Sequence, residues 1–269
     1  MPSRSAVLVA IAGALALAAP AQAQAPVTLR IVFPDGFSVR QMADRVAEVR
    51  KIAIRKRGVT PTLSGGGYRA AVGRARAPRA YRPFLKRRSL EGFLFPSLYE
   101  FTQHTRAADL VANQISAFES RWRGIHLRRP RASNLNAYDV LTIASMIERE
   151  TAVASERRLV SAVIYNRLKA EMPLAIDATL RYGLGIPGTR PLTRAHLRSR
   201  SRYNTRRYKG LPPTPIGNPG VRSMRAAARP AGRNYLYYLR RPGTVRHFFT
   251  ASEEEFCAKA REWGYTEDC

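Results

Sequence analysis

Acidic residues are the first shortage in this chain. Against 46 lysines and arginines stand 19 aspartates and glutamates, for a net charge of +27 over 269 residues. Such an excess, most of it arginine, calls for an anionic partner or surface: nucleic acid, anionic lipid or a carboxylate-bearing polymer. Arginine-rich coding alone would give the same composition. Cysteine is scarcer still, with only Cys257 and Cys269 near the C-terminus. That excludes a disulfide-dense scaffold. An oxidising compartment would let the two pair, and otherwise they are two thiols. The four histidines, His104, His126, His196 and His247, stand far apart. No HExxH, CxxC, glycine-rich phosphate loop or GxSxG elbow occurs. The expectation is therefore no metal, no cofactor and no serine-nucleophile turn. Long apolar runs are missing too. The one candidate, Ala6 to Ala19, is short of the ~20 residues that a spanning helix needs.

That run follows Arg4 and leads into Pro20-Ala21-Gln22-Ala23. A charged start, an apolar centre and an Ala-x-Ala site make a secretory signal. Residues 1–25 read as a signal peptide, or as a short membrane anchor if the segment is kept. Membrane contact is expected only there. Export argues against nucleic acid as the partner. The expected location is the cell envelope, at the inner membrane facing the periplasm or free in the periplasm. Hydrophobic residues make up 45% of the chain, enough for a sizeable core.

The stretch Asn136–Gly185 organises the rest. Asn136 caps a helix, with Asp139 three residues on as a capping-box variant. Ile143, Met146, Ile147 and Ala154 recur at helical spacing and form an apolar stripe. Glu150 falls in that stripe, and Glu148 lies about 160° away around the helix. A carboxylate on an apolar face loses hydration and holds its proton to higher pH, which suits a general acid. Glu150, rather than Glu148, is the candidate. The competing reading is an ordinary core glutamate held by an arginine. A second helix begins at Ser155 and stops at Pro173, and Asp177 follows in a loop.

Elsewhere the pattern predicts a strand over Val27–Val32, a turn at Pro34-Asp35-Gly36 and a helix capped by Ser38. Lys51–Arg82 reads as a basic linker or loose edge. Leu90–Phe101 reads as strands flanking Pro96, with Glu91 and Glu100 among aromatics. Amphipathic spacing marks a helix over Thr105–Arg123. Leu192–Ser201 is a short basic helix, and Val221–Ala228 another. Gly210–Gly220, rich in proline and glycine, reads as a rigid loop suited to holding a ligand. A hairpin follows from Tyr235 to Thr250, and Ser252 with Glu255 caps a last helix.

With metal and serine chemistry absent, a carboxylate enzyme or a binding module remains. Glycosidic cleavage needs a proton on the leaving oxygen, which a carboxylic acid supplies. The segments ASMIERETAVASER (Ala144–Arg157), YNRL (Tyr165–Leu168), IDATLRYGLG (Ile176–Gly185), YNT (Tyr203–Thr205), GLPPTPIGNPG (Gly210–Gly220) and LEGFLFP (Leu90–Pro96) together resemble the MltG/YceG-like endolytic murein transglycosylases. The likeness runs from about Leu90 to the C-terminus.

The resemblance implies an α+β fold: a small LysM-like αβ module followed by a mixed α+β YceG-like catalytic domain. The divisions would be residues 26–85 for a truncated LysM-like module and basic linker, and residues 86–269 for the catalytic domain. It implies cleavage of the β-1,4 bond between N-acetylmuramic acid and N-acetylglucosamine inside glycan strands, leaving 1,6-anhydro ends and ending nascent strands. The family's catalytic glutamate falls on Glu150. Asn166, Asp177, Tyr203 and Asn204 are the expected substrate-positioning residues, although Asn166 and Asp177 serve equally well as helix and turn caps. Glu156 and Arg157 are expected to pair with each other. Implied partners are peptidoglycan strands and cell-wall synthesis enzymes. The alternative is a non-catalytic peptidoglycan-binding scaffold on the same fold. The match departs from the family in the short N-terminal apolar segment and in the shortened first module.

Overall fold

The computed structural model describes residues 26–265 and residue 269, so the signal or anchor segment lies outside the described residues. Strand β1 (Thr28–Val32) leads through the Pro34–Gly36 turn into α1 (Val39–Arg57). Ser38 and Gln41 form a reciprocal capping box there, and Gly58, at φ 62°, ends the helix in the left-handed region that glycine tolerates. Helix α2 (Gly65–Arg74) and a 3-10 turn at Arg79–Phe84 follow. Lys51–Arg82 is therefore mostly helical rather than a linker. A Cβ on Gly65 would meet the Ala43 carbonyl oxygen at 2.7 Å. The glycines that suggest a break instead let α2 lie close against α1.

Leu90–Phe95 is a turn with Gly92 at φ 92°. Only one strand follows Pro96, β2 (Leu98–Thr102), and it pairs antiparallel with β1, Thr28 opposite Thr102 and Val32 opposite Leu98. Helices α3 (Ala107–Trp122) and α4 (Arg128–Ala132) lead to α5 (Ala137–Glu150). The Asn136 side chain accepts from the Tyr138 and Asp139 amides, and Asp139 accepts from the Asn136 amide, the box that the sequence predicts. α5 stops at Glu150, so Ala154 lies beyond it, in a 3-10 turn. Then come α6 (Arg157–Lys169), α7 (Asp177–Leu184), α8 (Arg194–Leu197) and α9 (Val221–Ala228). Strands β3 (Tyr237–Arg240) and β4 (His247–Thr250) form the expected hairpin, and α10 (Glu253–Glu262) closes the chain.

The α+β class is what the structure has. α5 is buried along its length from Val140 to Ile147 and packs against α6 and α9. Residues 26–85 have no core of their own. Leu29, Met42, Tyr68 and Tyr81 share one hydrophobic core with Leu141, Val160 and Met224. Its aromatic centre is an edge-to-face cluster of Tyr81, Phe93 and Phe118. A second, smaller cluster holds Tyr237, Leu239, Phe256 and Ala260. Beside it Cys257 and Cys269 are bonded to each other, with Cα atoms 5.6 Å apart. Among the described residues no helix is long and apolar enough to cross a membrane.

Candidate active site

The three residues that end α5 point three ways, as 100° steps require. Glu148 pairs with Arg157 at 3.4 Å and accepts from the Gly220 amide at 2.9 Å. Arg149 donates to the Gly36 and Ile216 carbonyls, both at 3.3 Å. Glu150 faces the hairpin, where the Tyr238 hydroxyl donates to its Oε2 at 2.8 Å. The Ala178 amide, in the first turn of α7, also donates to it. Burial pushes the Glu150 carboxyl up to about 7. The Tyr238 and Ala178 bonds and the Arg206 charge pull the other way, and the Asp177 charge adds to the rise. Tyr238 is itself pushed well above the usual phenol range by burial and by the Glu150 charge, so near neutrality it remains a donor.

Tyr238 reaches the carboxyl because neighbouring strand residues face opposite ways. Tyr237 turns inward to stack on Phe256 at 5.1 Å. Tyr238 turns outward, walled by His247 and Phe249 at 5.5 and 5.9 Å between ring centres. His247 is held by Glu156, 2.7 Å from its Nδ1. The expected Glu156–Arg157 pair is thus not made, because each residue faces a different element.

The structure brings one of the four expected positioning residues beside Glu150. Asp177 starts α7 rather than lying in a loop, and its carboxylate pairs with Arg206 at 3.0 Å. Tyr203 lies against Tyr182, ring centres 5.1 Å apart, and its hydroxyl bonds Thr214 at 2.8 Å. Asn204 is 0% exposed. Its amide nitrogen donates to the Leu197 and Ser199 carbonyls, and its oxygen accepts from the Arg206 amide. A side chain so enclosed shapes the loop that carries Arg206 and does not face a ligand. The Asn166 amide nitrogen donates to the Arg233 and Tyr235 carbonyls. It straps the approach to β3 onto α6, and Asn166 also lines a separate cavity with Tyr165 and Arg233.

A second carboxyl also rises to about 7. Glu91 is 3% exposed, and burial raises it against bonds from Tyr182 and Val39 and the charges of Arg149 and Arg40. The Val39 amide, the Asn218 amide group and the Tyr182 hydroxyl donate to it at 3.1, 3.1 and 2.9 Å. Asn218 Oδ1 in turn accepts from the Gly92 and Leu94 amides. The 210–220 loop, expected to hold a ligand, is buried from Thr214 to Gly220 and serves the fold. A Cβ on Gly217 would come within 2.5 Å of the Gly36 carbonyl oxygen, so glycine is what lets the two turns meet.

Beside the Ala178 amide of the IDATLRYGLG segment, Tyr238 and Arg206 carry much of the Glu150 environment, yet no motif marks either side chain. The alternation Tyr237-Tyr238-Leu239 in a hairpin is the one available signal, since it puts one tyrosine on each face.

With this geometry in place, the likenesses to other proteins fall into line. The pattern of the YceG-like family matches residues 9–262. An endolytic murein transglycosylase of Bacillus subtilis (strain 168) is 36% identical over 151 residues, covering 56% of this chain and 41% of that protein. One from Streptococcus pneumoniae (strain ATCC BAA-255 / R6) is 24% identical over 249 residues, covering 86% of this chain and 44% of that one. The chain spans less than half the length of these relatives. A crystal structure of a YceG-like protein from Listeria monocytogenes superposes with a TM-score of 0.68 at 27% identity, covering 84% of this chain and 74% of that one. The match spans both the segments before Leu90 and those carrying Glu150, and the chain belongs to the YceG-like family.

Proposed function

We propose that this protein is an endolytic murein transglycosylase whose general acid is Glu150. The observation that carries the proposal is the Glu150 carboxyl itself, raised to about 7 by burial yet placed at a helix end beside the Asp177–Arg206 pair. At neutral pH a sizeable share of it is protonated, as a proton donor needs. The relatives named endolytic murein transglycosylases point to the same substrate class.

In this mechanism Glu150 gives its proton to the glycosidic oxygen as the bond from C1 of N-acetylmuramic acid to that oxygen breaks. Its carboxylate, held by Tyr238 and the Ala178 amide, then takes the proton of the muramyl 6-hydroxyl. That oxygen bonds to C1 and closes the 1,6-anhydro ring. One proton leaves Glu150 and one returns, and no water is consumed. The Asp177 carboxylate, close enough to raise the Glu150 carboxyl, would favour positive charge developing at C1. Cuts inside strands would set their length and end their growth. The excess positive charge steers anionic stem peptides toward the surface, an effect that salt weakens.

Muropeptides released from purified sacculi test the assignment by mass spectrometry. Anhydro-muramyl products from the wild type and none from a folded Glu150→Gln variant are expected. Cleavage by that variant would overturn the role of Glu150. Asp177 favours one neighbouring reading, since a second carboxylate beside the acid is what a hydrolase uses to activate water. Reducing ends in place of anhydro ends would establish that reading.

A further inference from the structure

Away from Glu150, a cavity of about 510 Å³ lies between the start of α6 and α9. α6 contributes Arg157 and Arg158; α9 and its end contribute Arg222, Arg225 and Arg229. At the chain's overall basic content a lining of this size would hold about two such residues. It holds five, and no acidic side chain lines it. The floor is apolar, with Ile125, Ala226 and Ala228. This volume suits a small bound molecule.

The arginines are not all committed to the fold. Arg157 is spent on Glu148 and on the Ser223 hydroxyl, and Arg158 donates to the Arg229 carbonyl. Asp35, behind the wall, feels the charges of Arg157 and Arg222. Among the described residues, Arg225 and Arg229 have no carboxylate within ion-pair distance. Two acids, Glu148 and Asp35, therefore stand against five guanidinium groups around one concave space. Guanidinium forks bind phosphate and carboxylate oxygens in pairs. A single carboxylate or phosphodiester carries one negative charge, too little to balance this set, whereas a diphosphate carries enough. We propose that this cavity binds a multiply charged phosphate group.

Calorimetric titration of the full chain with sodium pyrophosphate tests the proposal, with citrate as the carboxylate comparison at equal ionic strength. Saturable one-to-one binding of pyrophosphate, tighter than citrate, is expected. The double variant Arg225→Ala/Arg229→Ala should bind about ten-fold or more weakly, as loss of charge-assisted hydrogen bonds implies. A control of equal charge, Arg55→Ala/Arg57→Ala on the exposed end of α1, should change affinity less than about two-fold, since it removes only long-range screened charge. Arg225→Lys/Arg229→Lys keeps the charge without the fork and should fall between. Circular dichroism establishes that each variant is folded. Equal losses in the two alanine pairs, binding of citrate as tight as pyrophosphate, or no saturable binding would each overturn the proposal. Vesicles of phosphatidic acid, a phosphomonoester, in phosphatidylcholine separate the sources. Release of the Arg225/Arg229 variant from them would make a lipid headgroup the ligand, and unchanged vesicle binding would leave a soluble phosphate. Neither readout depends on cleavage by Glu150.

Discussion

Two glutamates in this molecule have similarly raised carboxyls in different surroundings. Both Glu91 and Glu150 are raised to about 7 by burial. Around Glu91, donors from α1, α7 and the 210–220 loop converge, and two arginines stand nearby. Its carboxyl joins three segments, and Glu91 lines a 340 Å³ cavity against α2. Glu150 has two donors and a second carboxylate as neighbour. A raised pKa therefore marks loss of water and does not by itself mark chemistry. The surroundings decide: three donors joining three segments in one case, two donors and a neighbouring carboxylate at an element's end in the other.

The largest effect that would sharpen this contrast is on cleavage. Glu150→Gln should lower the rate by about a thousand-fold or more, in line with loss of a general acid, with little change in melting temperature. Glu91→Ala should do the reverse. It strands buried donors at Val39, Asn218 and Tyr182, at a cost of about 3 kcal/mol in urea unfolding, while folded molecules keep their activity. If Glu91→Ala is stable yet inactive, the comparison breaks.

Next in size is the dependence of stability on pH. Each carboxyl binds its proton more tightly folded than unfolded, so its stabilising contribution is complete below about 4.5 and is lost as pH rises through about 7. For enclosed Glu91 that loss is on the order of 3 kcal/mol. Glu91→Gln and Glu150→Gln should each flatten part of this slope; a slope left intact by Glu91→Gln would mean that Glu91 is ionised throughout. Tyr238→Phe removes a bond that favours ionised Glu150. The alkaline fall in activity should move to higher pH, with a change of about ten-fold or less in rate at neutrality. Asp177→Asn should move that fall slightly to lower pH, because it removes a neighbouring negative charge and frees the Arg206 charge.

The parts of the fold carried by local pattern were legible in the sequence. The Asn136 box, the Ser38 cap and the hairpin follow from capping chemistry and alternation. The stripe that singles out Glu150 holds only through Ile147, since Ala154 lies past the end of α5. What escaped depends on chain approach. Gly65–Gly67 suggests a break until α1 lies 2.7 Å from where a Cβ would be. The 210–220 loop reads as an exposed ligand holder until Ile216 bonds Ser145 and Asn218 bonds Phe37, Gly92 and Glu91. Asn204 looked available for a sugar because its own loop, which consumes every polar atom it has, is not visible in spacing. Tyr238 lies 88 residues from Glu150, beyond the reach of any local motif.

The hairpin that carries Tyr238 belongs to the smaller hydrophobic cluster, while Glu150 closes a helix of the larger one. The bond between them spans two packing units. A unit resting on four buried apolar side chains and one disulfide opens more readily than one threaded by α5. Amide protons of β3, β4 and α10 should therefore exchange with solvent as a group before those of α5. Each such opening would admit water to Glu150 and lower its raised carboxyl toward the ordinary range.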